Sequence, residues 1–161
     1  MTTDPAPDDL IDVLAADHRM LLALLDRAAA ADPGPQRSDL AVRAANAVRR
    51  HCVAEETLLH PVLRRCLEDG DRCAQADAEE HEQLEALVTE LLAVGTGSPD
   101  AEQVLHRLAV STRFHIEGVE TRRLPALRRR LTVTELHELA RAVQETIDPR
   151  DDRRGPTAVL G

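Results

Sequence analysis

The sequence predicts an all-α protein, an up-down four-helix bundle followed by a short C-terminal fifth helix. Leucine, valine and alanine must build its core, since the 161 residues include no Trp or Tyr and a single Phe. Apolar residues recur at helical spacing in four long stretches joined by short loops, and no stretch alternates as a strand would. A chain of this length can form one compact domain with a real core.

The first two helices are marked by their caps and by a strong break between them. Asp8 or Asp9 can cap a first helix that runs to about Ala31. The segment 32–35, which reads Asp-Pro-Gly-Pro, ends that helix. A serine cap predicts that the second helix covers about 38–67.

The remaining helices follow two further breaks. Gly70 and its charged neighbours separate the second helix from a third that covers about 73–94. Ser98 caps a fourth helix, with Pro99 in its first turn, that runs to about residue 130. A capping box over 132–135 starts the fifth helix, which ends near Ile147.

This pattern predicts a bundle over residues 8–147, with a flexible N-terminus at 1–7 and a disordered tail at 148–161. The net charge of −9 argues against nucleic acid or an anionic membrane as the main partner. There is no signal peptide pattern and no apolar stretch as long as a membrane span. Three cysteines without zinc-type spacing indicate reduced thiols and a cytoplasmic protein.

The chain also repeats itself. The segments that begin at His51 and His115 both read His-x4-Glu-Thr-x3-Pro-x-Leu-Arg-Arg-x-Leu. A second pair matches less closely, with an acid directly before His18 and before His81. His18 lies 33 residues before His51, and His81 lies 34 before His115. The chain therefore consists of two similar halves, each a pair of helices with one histidine per helix.

Four histidines at matching places in an up-down bundle can converge on its axis. Glu55 follows His51 by four residues and Glu85 follows His81 by four, so each lies on the histidine's own helix face. Burying imidazoles with carboxylates is costly unless a cation lies among them. Mixed nitrogen and oxygen donors suit iron, manganese or zinc, and the donors are enough for two ions.

These motifs resemble the hemerythrin-like (HHE cation-binding) domain family over roughly residues 8–147. The resemblance implies a four-helix bundle around two non-haem iron ions with a bridging oxo or hydroxo group, although manganese or zinc could replace iron. It implies histidine ligands at His18, His51, His81 and His115. It further implies that Glu55 and Glu120 bridge the two metals.

Two features depart from the respiratory members of that family. Glu85 stands where those members have a second histidine on the third helix, four residues after the first. As a ligand it would lower the reduction potential and favour oxidation chemistry, sensing or iron handling over reversible oxygen carriage. Glu120 follows His115 by five residues, so it reaches a metal only through a widened turn such as a π-bulge.

The other reactive residues receive plainer interpretations. We expect His60, His106 and His137 to be surface or rim residues, and Cys52 to be a buried spectator. Pro61 and Pro125 should bend their helices and free the carbonyls of Thr57 and Thr121. The arginines between Arg122 and Arg130 complement a helix dipole, and they could also dock an acidic protein partner.

The leading functional prediction is a di-iron protein that binds or senses dioxygen or nitric oxide. A di-iron enzyme acting on peroxide or a small substrate is the main alternative, favoured by the extra carboxylate. Ferritin-like iron storage is excluded, because no histidine here has Glu three residues before it. The remaining alternative is a metal-free module that works through its helix faces.

Overall fold

The computed structural model describes residues 8–150, and these residues form helices with no β-strand among them. Four long helical rods and a shorter fifth helix confirm the predicted all-α bundle. The predicted N-terminus at 1–7 and the tail segment 151–161 lie outside the described residues. The elements are α1 (Leu10–Ala30), α2 (Pro35–Ala54), π1 (Glu55–Leu59), α3 (His60–Cys66), α4 (Gly70–Val94), α5 (Ala101–Gly118), π2 (Val119–Arg123), α6 (Leu124–Arg128) and α7 (Val133–Ile147). The four rods are, in chain order, α1, then α2 with π1 and α3, then α4, and then α5 with π2 and α6.

The first and last helices begin with the caps that the sequence predicts. Asp9 accepts hydrogen bonds from the backbone N–H groups of Ile11 and Asp12, at 2.9 and 3.1 Å. At α7, the N–H of Glu135 donates to Thr132 Oγ1 at 3.2 Å, while the N–H of Thr132 donates to the Glu135 carboxylate. Both caps are complete capping boxes, so each satisfies N–H groups that the first turn leaves free.

The second rod starts earlier than predicted, at Pro35 instead of Ser38. Gly34 supplies the turn with φ +138°, a conformation that favours glycine, and Pro35 loses nothing at a position whose N–H has no helical partner. The Ser38 hydroxyl therefore does not cap the helix. It hydrogen-bonds Thr96 Oγ1 at 2.6 Å and ties this turn to the α4–α5 loop.

Both repeated segments contain a π-helical turn that ends two residues before their proline. The N–H of His60 bonds to the Glu55 carbonyl, and the N–H of Leu124 bonds to that of Val119, each five residues back. The repeated threonine within each π segment hydrogen-bonds the backbone four residues back. Thr57 Oγ1 donates to the Val53 carbonyl at 2.6 Å, and Thr121 Oγ1 donates to the Glu117 carbonyl at 2.6 Å. The two halves thus share one backbone irregularity, a widened turn.

The apolar core has two parts with a polar layer between them. One cluster fills the end of the bundle near Leu25, Ala44 and Leu105. The other surrounds Leu14 and Leu63 and includes the inner face of α7. None of the helices in the described part of the chain combines the length and apolar character that a membrane span needs. The cytoplasmic location stays a prediction, as do the domain boundaries.

Candidate metal centre

Each of the four rods contributes one of the predicted histidines to the polar layer. His18 on α1, His51 on α2, His81 on α4 and His115 on α5 are all buried, at 3% exposure or less. Neighbouring rings meet edge to face, with centroids 4.8 to 5.6 Å apart. The structure therefore brings together the four histidines that the repeat singles out.

Glu55 lies in the middle of these four rings, with one carboxylate oxygen towards each pair. Its Oε2 is 2.9 Å from His115 Nε2 and 3.1 Å from His81 Nε2. Its Oε1 is 3.3 Å from His51 Nε2 and 3.9 Å from His18 Nε2. The side chain is fully buried, so its charge can be balanced only by the groups around it.

Asp77 is a fully buried carboxylate beside Glu55, and it is not among the ligands that the sequence predicts. Its Oδ2 lies 2.7 Å from His60 Nε2 and 3.6 Å from His81 Nε2, and its Oδ1 lies 3.4 Å from His115 Nδ1. Asp77 precedes His81 by four residues, so the helical spacing that drew attention to Glu85 applies equally to Asp77.

A ring of outer carboxylates binds the four histidines of the layer from the side that faces away from Glu55. In each case Nδ1 meets a carboxylate oxygen at hydrogen-bond distance, which leaves Nε2 directed towards the centre of the layer. Such outer carboxylates fix the tautomer and the orientation of metal-binding histidines. The pairs are His51 with Asp17 (2.8 Å), His115 with Glu80 (2.7 Å), His81 with Glu56 (2.9 Å) and His18 with Glu120 (2.7 Å).

The structure does not bring Glu85 into this cluster, which corrects the expectation that it is a ligand. Glu85 is exposed and forms a bidentate ion pair with Arg49, at 2.6 Å to Nη2 and 3.0 Å to Nε. These hydrogen bonds lower the pKa of Glu85. Four residues span slightly more than one turn, so positions before and after His81 rotate about 40° in opposite directions. Here Asp77 rotates into the core and Glu85 rotates out.

Glu120 lies at the rim instead of the centre. The widened turn that it was expected to need is present as π2, yet its side chain is 41% exposed and its hydrogen bond goes to the outer nitrogen of His18, not to the centre. The position four residues after His115 is Val119, which is fully buried among apolar residues. The fourth rod thus offers no carboxylate at the place where the second rod offers Glu55.

His60 is not the rim residue that the sequence analysis expected. It is 3% exposed, and its ring stacks on His81 with centroids 5.7 Å apart and an interplanar angle of 15°. It is held by Asp77. No residue at the matching place in the other half repeats it, so the repeat gave no signal for it. His106 is exposed and His137 is half-buried.

The electrostatics of the centre favour positive charge. Burial opposes protonation of His51, but the charge of Glu55 and the bond to Asp17 outweigh it and raise its pKa to about 10. The same balance raises the pKa of His115 to about 9. Burial would raise the pKa of Glu55, yet charges on His51 and His115 hold it well below its usual value. The layer therefore attracts cations, protons or metal ions alike.

Two groups of donors, which share Glu55, could each hold a metal ion. One set is His18, His51 and Glu55, and the other is Glu55, Asp77, His81 and His115. In the first set, three atoms are buried without a hydrogen-bond partner among the described residues: His18 Nε2, His51 Nε2 and Glu55 Oε1. Buried polar atoms of this kind cost free energy unless something binds them, and imidazole with carboxylate is a donor set for a transition metal.

Cys52 takes no part in this donor set, although it follows His51 directly. Burial raises the pKa of its thiol and keeps it protonated. Since metal ligation needs the thiolate, Cys52 fits the spectator role that the sequence predicts.

The chain matches the model of a known protein family. The model of a protein family described as the hemerythrin HHE cation-binding domain matches residues 9–127, which include all four rods up to α6. A search of curated proteins and a search of solved structures each gave no significant match.

Proposed function

The chain belongs to the hemerythrin HHE cation-binding domain family, and on that premise we propose that it holds two non-haem iron ions that bind or sense dioxygen or nitric oxide. One observation carries the proposal. The two oxygens of Glu55 face two different pairs of histidine Nε2 atoms. A carboxylate shared by two metal ions would lie in this way.

The ligand chemistry favours iron. His18, His51 and Glu55 form a set of two histidines and one carboxylate, which is typical of non-haem ferrous sites with open positions. His81, His115, Asp77 and the other oxygen of Glu55 would hold the second ion. Manganese and zinc accept similar donors, so metal analysis is part of the test.

The surrounding residues prepare the centre for small ligands. Bound iron would supply the redox chemistry for dioxygen or nitric oxide. The outer carboxylates orient the histidines, and we assign Glu120 to this role for His18 instead of to a bridge. The apolar clusters on both sides enclose the layer. Such a site suits a diatomic ligand better than a large substrate.

The first test is the metal content of the purified chain, with two matched variants. We expect about two iron ions per chain, and we expect His51→Ala to lose most of them because it removes a donor of the first set. His106→Ala is the control, since His106 is exposed and lies outside the layer. Equal iron content in the two variants would contradict the proposal.

The second test concerns the ligand. The absence of Trp and Tyr leaves the near-ultraviolet region free, so new absorption bands on adding nitric oxide or dioxygen to the reduced protein should be easy to see. The proposal predicts such bands, because the ligand binds to the reduced protein without the turnover of another substrate. Sustained turnover of peroxide would favour the di-iron enzyme instead.

A further inference from the structure

Helix α5 exposes two large apolar side chains on the face that points away from the bundle core. Val110 is 66% exposed and Phe114 is 64% exposed, and Phe114 is the single Phe of a chain without Trp or Tyr. Thr112, which lies between them in the sequence, is buried on the opposite side of the helix. Apolar side chains in water forgo the free energy of burial, so two neighbours on one face mark a candidate contact surface.

A groove of about 550 Å³ lies beside these side chains, between α4 and α5. Its apolar lining includes Ala86, Leu87 and Val110. Glu90 and Arg107 line it as well, and an ion pair of 2.7 Å joins them at the surface. An exposed pair of this kind contributes little to stability, so it can rearrange at low cost. The face therefore presents a projecting phenyl ring next to an open groove that could receive a second ring.

The same face ends in opposite charges at equal distances from its centre. Arg107 lies five residues before Thr112 and Glu117 lies five residues after it, and both are exposed. At about 100° per residue, these two charged residues and the two apolar residues between them all point within about 40° of the direction opposite to Thr112. Within residues 8–150, Glu117 has no ion-pair partner. Along one line, α5 thus presents a basic, an apolar, an apolar and an acidic side chain.

This order complements a second copy of the same helix that runs in the opposite direction. With a two-fold axis level with Thr112, Arg107 of each copy faces Glu117 of the other. The same axis brings each Phe114 level with Val110 of the other copy, which lines the groove. In a parallel arrangement, arginine would face arginine and glutamate would face glutamate, and like charges repel. The charges therefore select the antiparallel pair.

We propose that this face of α5, together with the groove beside it, is the contact surface of a symmetric homodimer. Each Phe114 would enter the groove of the other copy, and the two pairs of Arg107 with Glu117 would close the ends. A two-fold interface needs one patch that complements itself, and the order of charges on α5 meets that requirement. The contact includes none of the metal donors, so it does not depend on metal in the candidate centre.

Light scattering of the purified full-length chain over a range of concentrations tests the proposal. We expect the mass of two chains at about 100 µM and a fall towards the mass of one chain on dilution, as for a small interface. The mass of one chain at every concentration would overturn the proposal. That result is expected if another part of the chain, or a different protein, covers this face.

Two matched variants locate the contact. Phe114→Asp should raise the dissociation constant of the dimer by roughly tenfold or more, because it places a charge where the ring would be buried. Val133→Asp is the control, since Val133 is 69% exposed on α7, outside this face, and the dissociation constant should not change. Circular dichroism verifies that both variants fold. Equal dissociation constants for the two variants would contradict the proposed surface.

A pair of charge reversals tests the antiparallel order. Arg107→Glu and Glu117→Arg each place like charges at both ends of the contact, so each variant alone should be mainly a monomer. An equal mixture of the two variants should form mixed dimers, because opposite charges then meet at both ends. A mixture that stays monomeric, or single variants that dimerise as tightly as the unchanged chain, would refute the pairing.

Iron content measured on the same samples separates this proposal from the metal centre. Phe114→Asp should keep the iron content of the unchanged chain. Full iron content in a chain that stays monomeric would overturn the dimer and leave the metal centre intact. Dimers without iron would do the reverse.

Discussion

The two halves of the chain hold their histidines alike but differ in what they place between them. The acids directly before His18 and His81 each bind the partner histidine of their own half, Asp17 with His51 and Glu80 with His115. The repeated glutamates of the π turns, Glu56 and Glu120, each reach across to the other half and bind His81 and His18. The outer shell therefore follows the sequence repeat completely.

The inner positions break that repeat. Glu55 corresponds to Val119, Asp77 to Leu14 and His60 to Leu124, and each apolar partner is buried in the core. The repeat thus encodes where the histidines lie and how they are oriented. Two unrepeated carboxylates and one unrepeated histidine occupy the centre.

Replacing Glu55 by valine, the type of its counterpart Val119, should have the largest effect on metal content. Glu55→Val removes the only carboxylate shared by both donor sets, so we expect iron to fall from about two ions per chain to almost none. Metal analysis of the purified variant checks this, with circular dichroism to verify the helical fold. A folded Glu55→Val protein that keeps even one ion per chain would show that Glu55 is not the shared ligand.

Replacing Asp77 by leucine, the type of its counterpart Leu14, should affect only one of the two ions. Asp77→Leu removes a donor from the set of His81 and His115, so we expect iron content to fall by about half. The change also leaves His60 buried without its partner, which costs roughly 1–3 kcal/mol of unfolding free energy. It further removes the carboxylate that pairs with the buried guanidinium of Arg123 at 3.2 Å, which adds to that cost. The double variant Asp77→Leu/His60→Leu should recover part of that stability without recovering the ion. Loss of both ions, or of neither, would contradict separate sets.

The outer shell should respond symmetrically. Asp17→Asn and Glu80→Gln keep the shape of each side chain but weaken its bond to His51 or His115. We expect each to reduce iron affinity by roughly 10- to 100-fold, as outer-shell changes usually do, and by similar amounts in the two halves. Competition with a chelator measures this. A tenfold or larger difference between the two variants would mean that the outer shell is not equivalent.

Glu85 should have the smallest effect. Glu85→Gln should leave iron content unchanged and lower stability by less than about 1 kcal/mol, because the pair with Arg49 is exposed. The pKa of Glu85 is lowered in the folded protein, so its contribution is present above pH 4.5, the usual value. The contribution disappears as pH falls through the lowered pKa. Denaturant unfolding of both proteins across this range checks the sign. Any loss of iron would restore Glu85 as a ligand.

The sequence predicts the fold and the four histidines because helical periodicity and an internal repeat both survive without tertiary information. The sequence does not show which of Asp77 and Glu85 faces the centre, since both lie four residues from His81. The orientation of α4 in the packed bundle buries Asp77 and exposes Glu85. The sequence places Glu120 five residues from His115, but the side chain's contact with His18 depends on α1 crossing beside π2. The sequence does not reveal that His60 and Arg123 are buried at the centre, because neither residue is repeated in the other half.

Anomalous diffraction at the iron absorption edge from crystals of the purified protein tests the central claim most directly. The account predicts two peaks on either side of the Glu55 carboxylate, one beside His18 and His51 and the other beside His81, His115 and Asp77. A single peak, a peak beside Glu85, or no peak from protein that contains iron would contradict it.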